Sequence, residues 1–463
     1  MSAPSWDDPA ARAAARYSLA DFSVSFTDDP LEIDPEFTRW RALTARAGGH
    51  YQQAIDGPPE PRGRLIDGDA RRAVINLSAY NYLGLARHPH VVAAARDALE
   101  RYGVGACGSP MISGRTGLHA ELERRLSALL GRERTMLFNS GYGGVLGVTA
   151  GLLRKGDVAV VDARIHLSVI DGVRLSGARL RFFEHNDPAS LDRALAESAG
   201  SRRLVIVEGI YSLDGDMADL PRLAPVCRAH GVGLVVDEAH SVLTCGATGG
   251  GVTEQLGMRG EVALYYGTFS KAFAGMGGFV SGPAETIDYL CHYADSYGFS
   301  CALPAALVAA HLAVLDVVER EPELMQRLAD NAAHLRAGLA ARGIGIGAST
   351  THVVPLVVGG DRARLYRLAD GLRARGLFLV PFDYPSVPAD ELRFRACVTA
   401  AHTRADLDEA LAIIGEVFGA HDAIARPSID RMGVGRGGAD AIGEVDVIRG
   451  AVAGDGVGSA GES

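Results

Sequence analysis

Short apolar runs alternate with helical patterns over residues 74–302 of the chain. The helical patterns include His90–Tyr102 and His119–Leu130. Seven short runs rich in β-branched side chains predict strands: Thr135–Asn139, Val158–Asp162, Leu180–Glu184, Leu204–Glu208, Gly233–Asp237, Leu264–Thr268 and Gly278–Ser281. Strands separated by helices favour a mostly parallel sheet with helices on both faces. The pattern therefore predicts an α/β fold, with one large domain over residues 74–302 and a seven-stranded sheet.

The pattern changes after this region, and residues 303–425 predict a smaller C-terminal α+β domain. Apolar residues at helical spacing predict three helices: Ala305–Glu319, Met325–Arg342 and Arg362–Arg375. Short β-rich runs predict three strands: His352–Val358, Phe378–Val380 and Leu392–Val398.

The two ends of the chain are weakly patterned. Residues 1–73 predict an N-terminal arm and linker, with a helix near Pro35–Ala47. The segment Gly57–Gly63 predicts extended chain, because proline fixes its own φ and restricts the residue before it. Residues 426–463 contain ten glycines and little apolar periodicity, which predicts a flexible Gly-rich tail.

Composition narrows the functional classes. The net charge of −10 argues against a protein that binds nucleic acid through the phosphate backbone. No apolar run reaches the roughly eighteen residues of a membrane span, and the first residues lack the apolar stretch of a secretory signal. The six cysteines are scattered without metal-ligand spacing, so we expect no metal site and a cytoplasmic protein with reduced thiols.

Only two of the 46 basic residues are lysines, Lys155 and Lys271. Chemistry that needs a primary side-chain amine must therefore use one of these two positions. Lys155 follows a helical pattern and precedes a glycine, a position typical of a helix end. Lys271 follows an apolar strand and precedes the Gly-rich AGMGGFVSG. Burial at a strand end lowers the pKa of a lysine and makes it a better nucleophile, although a surface lysine at a strand exit is the ordinary alternative.

Three segments upstream favour a role for Lys271. The turn Ser140–Gly144 follows a strand and opens a helix, which suits a phosphate. Asp237 ends an apolar strand, where a carboxylate either faces a ligand crevice or caps the next helix. His240 lies three residues beyond Asp237 and His166 lies just past another strand, although a lone histidine is more often a core residue. In this order the residues match what pyridoxal phosphate requires: anion donors, a flat ring contact, an acid for the pyridine nitrogen and a Schiff-base lysine.

Six sequence motifs together resemble those of one known enzyme family. They are NLSAYNYLGL, ISGRTGLHAELE, EGIYSLDGDMADL, VDEAHS, GTFSKAFAGMGGF and LRFRACVTAAHT, and they span roughly residues 74–402. In these motifs the chain resembles the α-oxoamine synthases, which are pyridoxal-phosphate enzymes of fold type I. The resemblance implies that fold, pyridoxal 5'-phosphate as cofactor, and a homodimer with its sites at the interface.

The resemblance assigns catalytic roles residue by residue. Lys271 would carry the cofactor as a Schiff base and later move the α-proton. Asp237 would pair with the pyridine nitrogen, and His166 would stack on the ring. His240 and Ser212 would hydrogen-bond the ring hydroxyl.

The resemblance also assigns the phosphate and carboxylate contacts. Ser140, Thr268 and Ser270, with the backbone at Gly141 and Tyr142, would hold the phosphate. A further phosphate contact reaches across the dimer interface in the family; here Ala302 replaces its hydroxyl residue and Ser300 is the candidate.

Arg393 and Arg395 share one strand face, so spacing does not choose between them as the carboxylate-binding residue. The family motif favours Arg395. Two further acidic residues, Glu208 and Asp214, are interpreted as loop architecture and not as catalytic groups.

The implied reaction is a decarboxylative, Claisen-type condensation of an α-amino acid with an acyl thioester. The acyl donor would be an acyl-CoA or an acyl carrier protein, and the products an α-aminoketone, CO2 and free thiol. A PLP-dependent aminotransferase or aldolase of the same fold is the alternative enzyme. A nucleotide-binding regulatory protein that uses the Gly-rich turn is the non-enzymatic alternative.

Overall fold

The computed structural model describes residues 13–23, 27–46, 51–67 and 69–422. The predicted Gly-rich tail lies outside the described residues, as do the first twelve residues of the predicted arm. No helix among the described residues is both long enough and apolar enough to cross a membrane.

A seven-stranded sheet forms the centre of the molecule, as the alternating pattern predicts. In chain order its strands are β3 (Arg134–Phe138), β4 (Val158–Asp162), β5 (Arg179–Phe183), β6 (Arg203–Glu208), β7 (Gly233–Asp237), β8 (Leu264–Thr268) and β9 (Gly278–Gly282). Their spatial order is β3-β9-β8-β7-β6-β4-β5. Strand β9 is antiparallel to both neighbours, and the other neighbouring pairs are parallel. The predicted mostly parallel sheet is confirmed, with strand ends within one residue of expectation.

Helices cover both faces of this sheet. Within residues 89–320 they are α2 (Pro89–Tyr102), α3 (Gly117–Leu130), α4 (Gly141–Leu152), α5 (Leu167–Ser176), α6 (Pro188–Ala196), α7 (Leu220–Ala229), α8 (Val252–Gln255), α9 (Ala284–Tyr293), α10 (Asp295–Gly298) and α11 (Ala305–Arg320). Alternate strand residues enter two separate cores, as period-2 side-chain alternation requires. Val160, Val207 and Val236 pack on one side of the sheet, and Val161, Ile206 and Val235 on the other.

A third core belongs to the C-terminal part of the chain. It contains α12 (Glu323–Ala340), α13 (Arg362–Ala374) and α14 (Arg404–Asp422). These helices pack near a three-stranded sheet in the order β10 (Val353–Gly359), β13 (Leu392–Cys397), β12 (Pro381–Phe382). The predicted smaller α+β unit is therefore present. Helix α11, which precedes it, shares its core with the large sheet instead.

The N-terminal part of the chain contributes more structure than the pattern predicts. Helix α1 (Pro35–Arg46) lies where expected, but the predicted linker leads into β1 (Arg62–Asp67), which pairs with β2 (Ala70–Asn76). Strand β2 also pairs with β11 (Leu377–Phe378). Ile75 and Leu77 therefore enter the core of the small unit. The proposed domain boundary at residue 73 stays a prediction, and it falls inside this paired strand.

The carboxyl ends of the parallel strands form the edge of the large sheet where a ligand site is expected. The carboxyl ends of β6, β7 and β8 are Glu208, Asp237 and Thr268. Ligands of open α/β sheets bind beyond this edge, where loops from neighbouring strands meet.

Candidate active site

A cavity of about 270 Å³ opens at the carboxyl edge of the sheet. Nine of the twelve predicted site residues line it: Ser140, Gly141, Tyr142, His166, Asp237, His240, Thr268, Ser270 and Lys271. Ser212, Ser300 and Arg395 are not among its lining residues. The tertiary structure thus brings together side chains that lie up to 131 positions apart in the sequence.

Asp237 is the buried acid of the cavity. It ends β7, and its carboxylate accepts hydrogen bonds from the Tyr266 hydroxyl and from the Ala239 amide at 2.7 Å. Burial raises the pKa of Asp237, and the charge of Lys271 opposes that shift. Both oxygens have fixed partners, so the carboxylate presents a defined edge to a ligand.

Lys271 lies in the turn between β8 and β9 and is half-buried in the cavity. Burial lowers the pKa of its amine, and the nearby Asp237 carboxylate opposes that shift. A lowered pKa increases the neutral, nucleophilic fraction of the amine. Lys155, in contrast, is exposed and lies in a turn three residues beyond the end of α4, so the expected last-turn position is wrong by a few residues.

The start of α4 forms a close-fitting cradle beside β8. Ser140 caps this helix by accepting a hydrogen bond from the Gly143 amide at 2.9 Å. A Cβ at Gly141 would lie 2.8 Å from both Cβ and Oγ1 of Thr268, so only glycine fits there. The Thr268 hydroxyl in turn contacts the Ser270 hydroxyl at 2.8 Å. Helix-start amides and two hydroxyls therefore meet in one place, which suits an anion.

His166 caps helix α5 at the side of the cavity. Its Nδ1 lies 2.8 Å from the Ser168 hydroxyl and accepts from the Ser168 amide at 3.2 Å. Burial lowers the pKa of His166, which favours the neutral ring. The loop that leads to it is anchored by Asp162, which accepts from the Arg164 amide and contacts His185 Nδ1 at 2.9 Å.

His240 lies deeper in the same cavity and is buried. Its Nδ1 is 2.8 Å from the hydroxyl of Tyr82, a fully buried tyrosine from the NLSAYNYLGL motif. Burial and the charge of Lys271 hold the pKa of His240 well below its ordinary value. A neutral imidazole has one donor and one acceptor nitrogen, so Tyr82 helps to orient the ring.

Arg395 and Arg393 differ in their partners although both are buried on β13. Arg393 donates to Asp214 at 2.6 Å and to Glu391 at 2.6 Å, so carboxylates of the chain occupy it. Arg395 donates to the Ser212 carbonyl at 2.9 Å and to the Tyr80 hydroxyl, and its Nε has no partner among the described residues. Arg395 is thus the guanidinium with capacity left for a substrate carboxylate.

Three predicted site residues contact other parts of the chain. The backbone of Ser212 receives the Arg395 bond, and its amide donates to Glu208 at 3.0 Å. The Ser300 hydroxyl accepts from the Asn139 side chain, next to the cradle. The Tyr142 hydroxyl donates to Asp171 at 2.8 Å, away from the anion site. The roles assigned to the Ser212 and Ser300 side chains and to the Tyr142 backbone stay predictions.

Glu208 is the cavity residue that the sequence interpretation left out. It ends β6, pairs in register with Asp237, and is almost fully buried. The available signal was the one used for Asp237, a carboxylate at the end of an apolar strand. Tyr266, the partner of Asp237, carried no such signal because it lies inside an apolar strand.

The residues of the cavity fit pyridoxal phosphate. The absence of a Cβ at Gly141 lets the start of α4 lie close against Thr268, which brings the helix-start amides and the Thr268 and Ser270 hydroxyls together for an anion. An amine with a lowered pKa and a fixed buried carboxylate lie in the same cavity, together with the His166 ring at its side. Among the described residues no group of three or more His, Cys, Asp or Glu side chains is arranged to hold a metal ion.

Comparison with known proteins places the chain in a family. The family model "Aminotransferase class I and II" matches residues 72–414. The 8-amino-7-oxononanoate synthase of Pseudomonas aeruginosa is 41% identical over 382 residues, which cover 81% of this chain and 93% of that enzyme. The chain belongs to the aminotransferase class I and II family, as an α-oxoamine synthase.

Further relatives of this chain are two other kinds of enzyme, a bipyrrole-methanol synthase and serine palmitoyltransferases. The 4-hydroxy-2,2'-bipyrrole-5-methanol synthase of a Serratia species is 37% identical over 368 residues, and the match spans 79% of this chain but only 56% of that longer protein. The serine palmitoyltransferase of Sphingomonas wittichii superposes with a TM-score of 0.81 at 29% identity, covering 86% of this chain and all of that chain. A serine palmitoyltransferase structure from S. paucimobilis with bound PLP superposes with a TM-score of 0.80. The resemblance and the type I fold inferred from the sequence are confirmed.

Proposed function

We propose that the protein condenses an α-amino acid with an acyl thioester, with loss of CO2 and release of a thiol. The observation that supports this most directly is the single cavity that contains Lys271, Asp237 and His166 behind a glycine cradle. Membership of the α-oxoamine synthases supports the acyl-transfer reaction class over other reactions of the fold.

Individual residues of the chain bind the substrate, move the proton and contact the cofactor. Bound pyridoxal phosphate supplies an aldehyde for amine exchange and a ring that accepts an electron pair. Arg395 binds the amino acid carboxylate, and Lys271, once its amine is free, removes the α-proton. Asp237 holds a proton at the pyridine nitrogen, and the His166 ring covers one face of the cavity.

Thiol and CO2 assays test the reaction class. Purified protein with pyridoxal phosphate, one of glycine, alanine or serine, and an acyl-CoA should release free thiol and CO2 in equal amounts. Omission of either substrate should stop both. A keto acid or aldehyde without thiol would indicate the aminotransferase or aldolase alternative. A protein that neither binds pyridoxal phosphate nor absorbs in the visible range would support the nucleotide-binding alternative.

A second copy of this chain is the proposed macromolecular partner. Four apolar side chains on the loops before α3 and α11 are exposed, with exposed fractions of 83% at Val104, 50% at Met111, 84% at Ile112 and 90% at Phe299. We call these four residues the apolar patch. Large exposed apolar patches mark association surfaces. The Ala302 amide donates to the Gly108 carbonyl at 2.9 Å, which joins the two loops that carry the patch.

Two finer assignments complete the proposal. The acyl donor is an acyl-CoA or an acyl group on a carrier protein, the two thioesters that the reaction class uses. The proposed compartment is the cytoplasm, since all six cysteines are free thiols.

A further inference from the structure

Two carboxylates end neighbouring strands inside the cavity. Glu208 of β6 and Asp237 of β7 are paired in register, and both line the cavity. Paired residues of parallel strands point to the same face of the sheet. Two buried carboxylates that share one site cannot both be ionised without a large electrostatic penalty.

The hydrogen-bond partners differ between the two acids. Both Asp237 oxygens accept hydrogen bonds, one from Tyr266 and one from the Ala239 amide. In Glu208 only Oε2 accepts a bond, from the Ser212 amide at 3.0 Å. The Glu208 Oε1 atom is buried and has no partner among the described residues. An ionised carboxylate is an acceptor with room for several donors, so one bond leaves Glu208 poorly compensated as an anion.

Glu238 provides an internal comparison, because it is equally buried. Its two oxygens accept four hydrogen bonds: from the Val252 and Thr253 amides, both at 3.0 Å, and from the Ser241 and Thr253 hydroxyls. Burial raises the pKa of Glu238, and these four donors act against that shift. The chain therefore surrounds one buried glutamate with donors and leaves the other almost without them.

On balance, the surroundings of Glu208 raise its pKa and so favour the protonated acid. Burial holds its pKa well above the ordinary value, and the carboxylates of Asp237 and Asp162 raise it further. The Ser212 amide and the Lys271 amine lower it, and burial in turn lowers the pKa of Lys271.

We propose that Glu208 is a positioning residue for Asp237 that works as a neutral carboxylic acid: its Oε1 hydroxyl faces the cavity as a donor, and the negative charge of the pair stays on Asp237. The cofactor's pyridine nitrogen then meets one carboxylate and not two. The Oε2 atom of the same group accepts a hydrogen bond from the Ser212 amide, and the carbonyl oxygen of Ser212 accepts one from Arg395. The proposal rests on the proposed function for the identity of the cofactor, but not for the location of the proton.

The first test measures the proton without cofactor or substrate. In full-length protein, the infrared difference spectrum of wild type minus Glu208→Gln should contain the carbonyl band of a protonated carboxylic acid. The folded chain would keep a proton that the unfolded chain releases above the ordinary glutamate pKa of 4.5, so wild-type stability should fall as the pH rises past that value. Glutamine does not titrate, so the Tm of Glu208→Gln minus the Tm of wild type should increase as the pH rises from about 5 to about 8.

Glu238→Gln is the matched control. Its new amide group would face amide and hydroxyl donors, so this variant should have a lower Tm than wild type across the same pH range. Absence of the infrared band, or a Tm difference between Glu208→Gln and wild type that does not change with pH, would overturn the neutral acid.

The second test uses the protein with pyridoxal phosphate. Glutamine keeps an acceptor for the Ser212 amide and a donor toward the cavity. In Glu208→Gln the cofactor Kd should therefore stay within about 3-fold of the wild-type value. The pH titration of bound-cofactor absorbance should not shift. Glu208→Leu removes both groups, and its cofactor Kd should rise about 10-fold. A shifted cofactor titration in Glu208→Gln would contradict the proposal. A protein that binds no pyridoxal phosphate would refute the proposed function and leave the proton measurement intact.

Discussion

At the scale of single residues, the two lysines have unequal environments. Lys271 lies in the cavity with a lowered pKa, whereas Lys155 is exposed in a turn. The scarcity of lysine made the comparison possible, and the local motif predicted Lys271 as the reactive one. The tertiary structure added the facing carboxylate of Asp237, which lies 34 residues away in sequence.

The first prediction concerns the essential amine. Lys271→Ala should abolish borohydride trapping of pyridoxal phosphate on the protein, because Lys155 lies outside the cavity. Turnover should fall by about 10²-fold to 10⁴-fold, the usual contribution of a positioned base. Mass spectrometry of the reduced protein and a thiol-release assay measure the two effects. Lys155→Arg is the control and should behave as wild type; loss of cofactor in that variant would contradict the assignment.

The second prediction separates the two arginines of β13. Arg395→Gln should raise the KM for the amino acid by about 10-fold to 150-fold, the range for losing a charge-assisted hydrogen bond of about 1.5–3 kcal/mol. Arg393→Gln should lower the free energy of unfolding by about 1–3 kcal/mol, because Asp214 and Glu391 lose one of their two arginine partners and keep only Arg164. Steady-state kinetics and denaturant unfolding of both variants provide the measurements. A raised KM in Arg393→Gln alone would reverse the two roles.

At the scale of elements, the central strands were predictable and the ribbon of β1 and β2 was not. Every residue of β4 and β8 is buried, so these strands are continuous apolar runs. Strand β2 exposes its first four residues and buries its last three. Its local pattern is therefore mixed, and its pairing with β11 involves residues about 300 positions later. Sequence-local patterns carry no information about such a partner.

The third prediction concerns the joint between α4 and β8. Gly141→Ala should raise the Kd for pyridoxal phosphate about 10-fold, because the added Cβ would displace either the helix start or Thr268. Equilibrium titration of cofactor absorbance measures this change. Gly419→Ala in α14 is the matched control, since a Cβ there meets nothing within 4 Å. That variant should bind the cofactor normally, and its stability should change by at most about 0.5–1 kcal/mol. Equal cofactor affinity in both variants would show that the cradle is not the anion site.

At the scale of the whole molecule, the apolar patch links assembly to the cofactor site. It lies on the loops before α3 and before α11, and the second loop also carries Ser300, which contacts Asn139 next to the cradle. In the proposed dimer, a second copy that packs on the patch would therefore lie close to this contact.

The fourth prediction tests this assembly. The wild type should elute at about twice the 48.6 kDa mass of the chain in size exclusion with light scattering. Phe299→Glu should shift the protein toward the monomer and weaken cofactor binding, because a charge would be buried at the interface. Leu31→Glu, which changes an equally exposed side chain outside the patch, should do neither. A Phe299→Glu dimer with normal cofactor affinity would exclude the patch from the interface.

The sequence by itself determined the fold class, the seven strands of the central sheet and the likeness to the α-oxoamine synthases, because periodicity and contiguous motifs are local properties. It also predicted Lys271, Asp237 and His166 as site residues, which stand at strand ends or in the loops that follow them and which line one cavity. Residue spacing left Arg393 and Arg395 equivalent and only the family motif favoured Arg395; the tertiary structure added that Arg393 is paired with carboxylates, and it brought Glu208 into the cavity. Those outcomes depend on which partners fill each side chain's hydrogen-bonding capacity, and the partners come from distant parts of the chain.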